Sequence, residues 1–162
     1  IVFYDHNSTG FQMHPAVLIG GAFAVEMSVG GTPLSIVIDT GASVSLSISS
    51  TSLARIETCR MESEQHILQQ GVNGETVCSD VFVSDVSIGN VHLRNVSVLG
   101  NDTPVQGADG YAGMGLLRAF DMMFTHGYVG VRPSGLPVRP PYGSEPGRCK
   151  NRENVTYQTR KV

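Results

Sequence analysis

The sequence predicts an all-β domain with one short helix and an extended C-terminal tail. Three observations carry that reading. The chain has 162 residues, enough to bury one core of its own and no more than one by default. Its 19 glycines, many paired or set beside Asn and Asp, punctuate short runs rich in Val, Ile, Leu and Phe. Five of the eight prolines fall after residue 131, Pro140-Pro141 among them, and mark a segment without a core of its own. No run of about 18 apolar residues is present, so no segment spans a membrane as written.

Taken in order, residues 1–20 read as an N-terminal extension, 21–131 as the domain and 132–162 as the tail. The run Leu34-Ser35-Ile36-Val37-Ile38 reads as a buried strand, with Phe23 to Pro33 leading into it. Residues 50–55 suggest a single helical turn capped by a serine or threonine. Residues 64–70 and 75–86 read as two strands joined by Gly71-Val72-Asn73-Gly74, where Asn-Gly is a strong hairpin signal. A turn at Ile88-Gly89-Asn90 precedes a strand over 91–99. The segment from Ala108 to Phe120 reads as a glycine-punctuated strand entering a short helix.

Asp39-Thr40-Gly41-Ala42-Ser43 follows the apolar strand directly, and this placement makes Asp39 the residue to explain. A carboxylate at the end of a buried strand is costly unless it is hydrogen-bonded, paired or used chemically. Gly41 permits a sharp turn and Thr40 supplies a hydroxyl to tie the loop down. Alone, such a triplet is more often a turn aspartate capping its own loop. About seventy residues later comes Tyr111-Ala112-Gly113-Met114-Gly115-Leu116-Leu117-Arg118-Ala119-Phe120.

Together, over residues 21–131, these segments resemble the retropepsin-like aspartic proteases, single-domain relatives of half a pepsin. The resemblance implies an acid-protease barrel or sandwich. It implies that Asp39 is the catalytic aspartate, with Thr40, Gly41 and Ala42 completing its loop, and that Tyr111, Ala112 and Gly113 fill the supporting apolar-apolar-Gly step. The supporting helix is then expected over 116–120, and strands over 122–126 and 128–131 close the domain. Gly71, Val72, Asn73 and Gly74 stand where the family carries its flap, the hairpin that closes over an extended peptide. Ala42 stands where pepsin-type loops often carry serine, and Gly115 where relatives commonly carry a polar residue.

Chemistry then sets the assembly. Hydrolysis by two aspartates needs one carboxylate to accept a proton from water while its protonated partner donates to the carbonyl oxygen. The chain has no second Asp-Thr-Gly or Asp-Ser-Gly: Asp109-Gly110 lacks the hydroxyl residue, and Asp102-Thr103-Pro104 has proline in place of glycine. The expectation is an aspartic endopeptidase acting on extended polypeptide as a symmetric homodimer, with Asp39 contributed by each chain. The alternative is a non-catalytic subunit that keeps the protease fold and binds a partner or scaffolds a larger assembly.

Charge is divided. Residues 1–131 carry four Arg against twelve carboxylates, net −8, whereas residues 132–162 carry seven Arg and Lys against two, net +5. The basic tail is read as a linker, or as an arm that orders on a protein assembly. It lacks the interleaved aromatics of a nucleic-acid groove. Cys59, Cys78 and Cys149 have no Cys-x-x-Cys spacing and the five histidines are scattered, so neither metal nor other cofactor is expected. One disulfide with Cys59 and Cys78 the nearest pair, or three free thiols, fits equally. Four Asn-x-Ser/Thr triplets, at Asn7, Asn95, Asn101 and Asn154, lean toward a secretory route. A start at Ile1 rather than Met reads as a processed product or fragment.

Overall fold

The structure, a computed structural model, describes residues 10–56, 60–70, 76–101 and 105–139. Among the described residues, ten strands and two single-turn helices follow one another: β1 (Gln12–Ile19), β2 (Ala22–Val29), β3 (Thr32–Ile38), β4 (Leu46–Ser49), α1 (Ser50–Leu53), β5 (Arg60–Gln70), β6 (Thr76–Ile88), β7 (Val91–Asn101), β8 (Gly110–Ala112), α2 (Met114–Leu117), β9 (Phe120–Thr125) and β10 (Tyr128–Pro133). The strands join in the order β5-β6-β7-β4-β8-β3-β2-β1-β10-β9, and a further β6–β2 pairing ties distant parts of that order together. The all-β expectation holds.

Period-two alternation builds the core. Val25, Met27 and Val29 of β2 point inward between exposed Glu26 and half-buried Ser28, and Leu34, Ile36 and Ile38 of β3 do the same. Leu46, Ile48, Phe82, Val96 and Val98 meet them, each almost fully buried and each stabilising by roughly 1.5–3 kcal/mol against exposure. A smaller cluster of Val44, Val81 and Leu99, with Ala42 and Tyr111 packed on it, lies beside the turn that follows β3.

The pairing that matters most for the site is the short β8, wedged between β3 and β4. It runs parallel to β3, Ile36 opposite Gly110 and Ile38 opposite Ala112, and antiparallel to β4. Two segments far apart in sequence thereby end side by side.

At four places the structure differs from the sequence reading. Gln12–Ile19, inside the presumed extension, is an integral strand: its first half pairs with β10 and its second with β2, and the change of partner falls at Pro15, a residue that reads as a strand breaker because it has no N–H to give. The supporting helix is Met114–Leu117, not 116–120; Phe120 mimics the helical spacing of Leu116 but begins β9, opposite Pro133 of β10. Residues 132–139 lie on the body: Arg132 donates to Asp121 at 3.0 Å and stacks on Phe11, and Ser134 donates its amide to the Ala119 carbonyl. The hairpin strands are longer than expected, pairing from Arg60–Val83 to Gln70–Thr76.

The helical turn near residue 50 forms as expected. Its cap is Ser49, whose hydroxyl accepts the Ser52 amide. Among the described residues no helix is long and apolar enough to cross a membrane.

Candidate active site

Asp39 emerges at the C-terminal end of β3, where its amide donates to the Ala112 carbonyl at 2.9 Å. The chain then turns. The Gly41 amide donates to Asp39 Oδ1 at 2.9 Å and the Ala42 amide to the Asp39 carbonyl at 3.2 Å, so the loop orients its own carboxylate. Asp39, Thr40 and Gly41 are exposed and Ala42 is half-buried. The carboxylate is thus fixed at its base and open to a reacting partner.

Tyr111, Ala112 and Gly113 support the loop from β8 and the turn into α2. Tyr111 and Ala42 both pack on the Val44, Val81 and Leu99 cluster, and Ala112 is fully buried. The Gly113 amide donates to the Ser45 carbonyl at 3.1 Å, Met114 to Ala42 at 2.8 Å and Gly115 to Val44 at 3.1 Å. This approach is so close that a Cβ at Gly113 would run into the Ala42 and Val44 carbonyl oxygens. Gly115 is under the same pressure, since a Cβ there would sit 2.6 Å from the Ser45 hydroxyl. The glycine at 115 therefore matches the local packing of this chain.

Asp109 does not join Asp39. It lies at the opposite end of β8, where its carboxylate accepts the Ser35 amide at 2.7 Å, the Ser52 hydroxyl at 2.6 Å and the Arg55 guanidinium at 2.8 Å. Ser35 and Asp39 are four residue steps apart along the strand, about 13 Å of chain. These three partners lie in β3, in α1 and just after α1, so the Asp109 carboxylate ties those elements together. Sequence reading weighed this residue only as a failed second motif; its structural role had no local signal.

Gly71, Val72, Asn73 and Gly74 lie outside the described residues, as do Cys59 and Cys149. Ser43 is exposed, and its carbonyl accepts the Arg139 guanidinium at 3.1 Å. Sequence reading placed Arg139 in the tail, and nothing in its neighbourhood of prolines marks it for the loop. Among the described residues no three His, Cys, Asp or Glu side chains gather as a metal site. A cavity of about 950 Å³ lined by Phe11, His92, Leu93, Val131 and Leu136 contains none of the loop residues.

A family model described as aspartyl protease matches residues 25–118. No curated protein matches the sequence. Solved structures similar to the chain include a retropepsin-like aspartic protease from Rickettsia conorii, at 15% identity, a TM-score of 0.49 and coverage of 75% of this chain and 93% of that one. The EIAV protease complexed with the inhibitor HBY-793 follows at 18% identity and a TM-score of 0.45, covering 63% and 90%. The aspartic proteinase from Irpex lacteus stands at 20% and 0.46, with 64% of this chain matched to 30% of that one.

Proposed function

Since the chain belongs to the aspartyl protease family, we propose that it is an aspartic endopeptidase working as a homodimer, with one Asp39 from each chain at the twofold axis. The observation that carries this reading is the state of the two candidate carboxylates. Asp39 is exposed and backbone-fixed, while Asp109 is consumed by Ser35, Ser52 and Arg55.

Two Asp39 carboxylates roughly 3 Å apart cannot both ionise, so they share one proton. The ionised oxygen takes a proton from water as the water oxygen bonds to the scissile carbonyl carbon. The protonated partner gives its proton to the carbonyl oxygen. Collapse of the resulting diol breaks the C–N bond, the nitrogen leaves protonated, and the dyad returns to one shared proton. Thr40 ties the two loops across the axis, and Gly41 lets substrate backbone approach. Residues 71–74 serve as the flap, donating backbone hydrogen bonds to an extended peptide and excluding water.

The test is cleavage of a peptide library by the purified chain from about pH 3 to 7, where a shared-proton dyad operates, with Asp39→Asn in parallel and sedimentation to read the oligomer. Cleavage by a dimer, absent in the variant, supports the reading. A well-folded dimer that cleaves nothing overturns it.

A further inference from the structure

Four consecutive carbonyls follow the Asp39 turn, and each accepts a hydrogen bond. Three donors are amides of the supporting turn: Met114 to Ala42, Gly115 to Val44 and Gly113 to Ser45. The fourth carbonyl, that of Ser43, takes its donor from elsewhere, from Arg139 Nη1 at 3.1 Å.

Arg139 lies beyond the 25–118 span of the family match, at the end of a segment that returns from β10 to α2. That segment is anchored at intervals. The Ser134 amide donates to Ala119 at 2.9 Å and its hydroxyl to the Arg118 carbonyl at 2.6 Å, while the Leu136 amide donates to that same hydroxyl at 3.1 Å. Val138 packs against the main core. Finally the Arg139 amide donates to the Gly115 carbonyl at 2.8 Å. The backbone of Arg139 is therefore held on the same turn whose amides hold the loop, and its side chain reaches across to the one carbonyl that the turn leaves unserved.

We propose that Arg139 is a positioning residue for the Asp39 loop, completing a clamp of which the supporting turn supplies three parts. This rests on the reading of Asp39 as the catalytic carboxylate. Ser43 and Arg139 are both exposed, so water replaces the guanidinium when it is removed and global stability changes little. What is lost is the fixed geometry of a loop that must meet its symmetry mate, where small displacements are expensive in rate.

The experiment compares the 162-residue chain with Arg139→Gln, Arg139→Lys and, as a control on the adjoining strand β10, Arg132→Gln. Arg139→Gln lowers kcat about tenfold with KM changed less than about twofold. It also speeds hydrogen exchange at the Met114 and Gly115 amides about fivefold. Arg139→Lys, which keeps a cationic donor, recovers part of both, and Arg132→Gln moves neither. Equal kcat and equal exchange in Arg139→Gln and the parent overturn the proposal, as does a kcat loss that merely follows the loss of folded protein. A parent chain that cleaves no peptide defeats the catalytic reading alone; the exchange comparison then decides whether Arg139 holds the loop.

Discussion

The Asp109 carboxylate receives the Ser35 backbone amide at 2.7 Å, joining the start of β8 to the middle of β3 across 74 residues of sequence. Its other oxygen serves Ser52 and Arg55. Asp109→Ala leaves the Ser35 amide and the buried Ser52 hydroxyl without their acceptor, which costs about 2–3 kcal/mol. The exposed Arg55 pair adds little. Urea unfolding measures the loss, and Asp109→Asn, which keeps one acceptor, loses less. Turnover per folded molecule stays near the parent value. If Asp109→Ala abolishes turnover without lowering stability, the division of labour between the two aspartates is wrong.

Asp39→Asn is the mirror case. The amide oxygen still accepts the Gly41 N–H, so the loop keeps its shape and stability shifts by less than about 0.5 kcal/mol. Turnover falls about a thousandfold or more, since the variant has no group to take the proton from water. Matched unfolding curves with a collapsed kcat are the expected pair of results. Retained turnover would remove Asp39 from the chemistry.

Gly113→Ala tests the close approach of the supporting turn. The added methyl overlaps the Ala42 and Val44 carbonyls, which are backbone and cannot swing aside. The loop and α2 must separate, at a cost of about 1–3 kcal/mol. Because the displaced carbonyls belong to the Asp39 loop, kcat drops together with stability, unlike either aspartate variant. Thermal melts and peptide turnover on one preparation separate the three patterns.

Residues that act through local grammar were legible in the sequence. The apolar run of β3 followed by Asp39-Thr40-Gly41 marked the carboxylate, because strand period and glycine chemistry act over a few residues, while Tyr111-Ala112-Gly113 as its support was what the family resemblance implied. The rest depends on long-range pairing. β1 was hidden because its two halves pair with different strands around Pro15, none of its residues is fully buried, and the apolar Met13, Val17 and Leu18 fall on exposed positions, so its hydrophobic pattern does not mark an inward face. Asp109 and Arg139 were hidden for the same reason: each owes its role to partners 54 to 96 positions away, which no window of sequence contains.

His14 ties stability to pH. Its ring lies half-buried in β1, opposite Val129, and Nε2 has no hydrogen-bond partner among the described residues. Burial disfavours the imidazolium and lowers its pKa below the ordinary 6.5. The unfolded chain then binds the proton more readily than the folded one, so stability rises with pH through this range. The contribution of neutral His14 is present above about pH 6.5, is lost as the pH falls below it, and levels off once the folded-state pKa is passed. Melting temperatures measured between about pH 7.5 and 5 should therefore fall further for the parent than for His14→Gln, which has nothing to titrate. Parallel slopes for the two proteins would show that the acid sensitivity lies elsewhere, and a steeper slope for His14→Gln would reverse the sign of the argument.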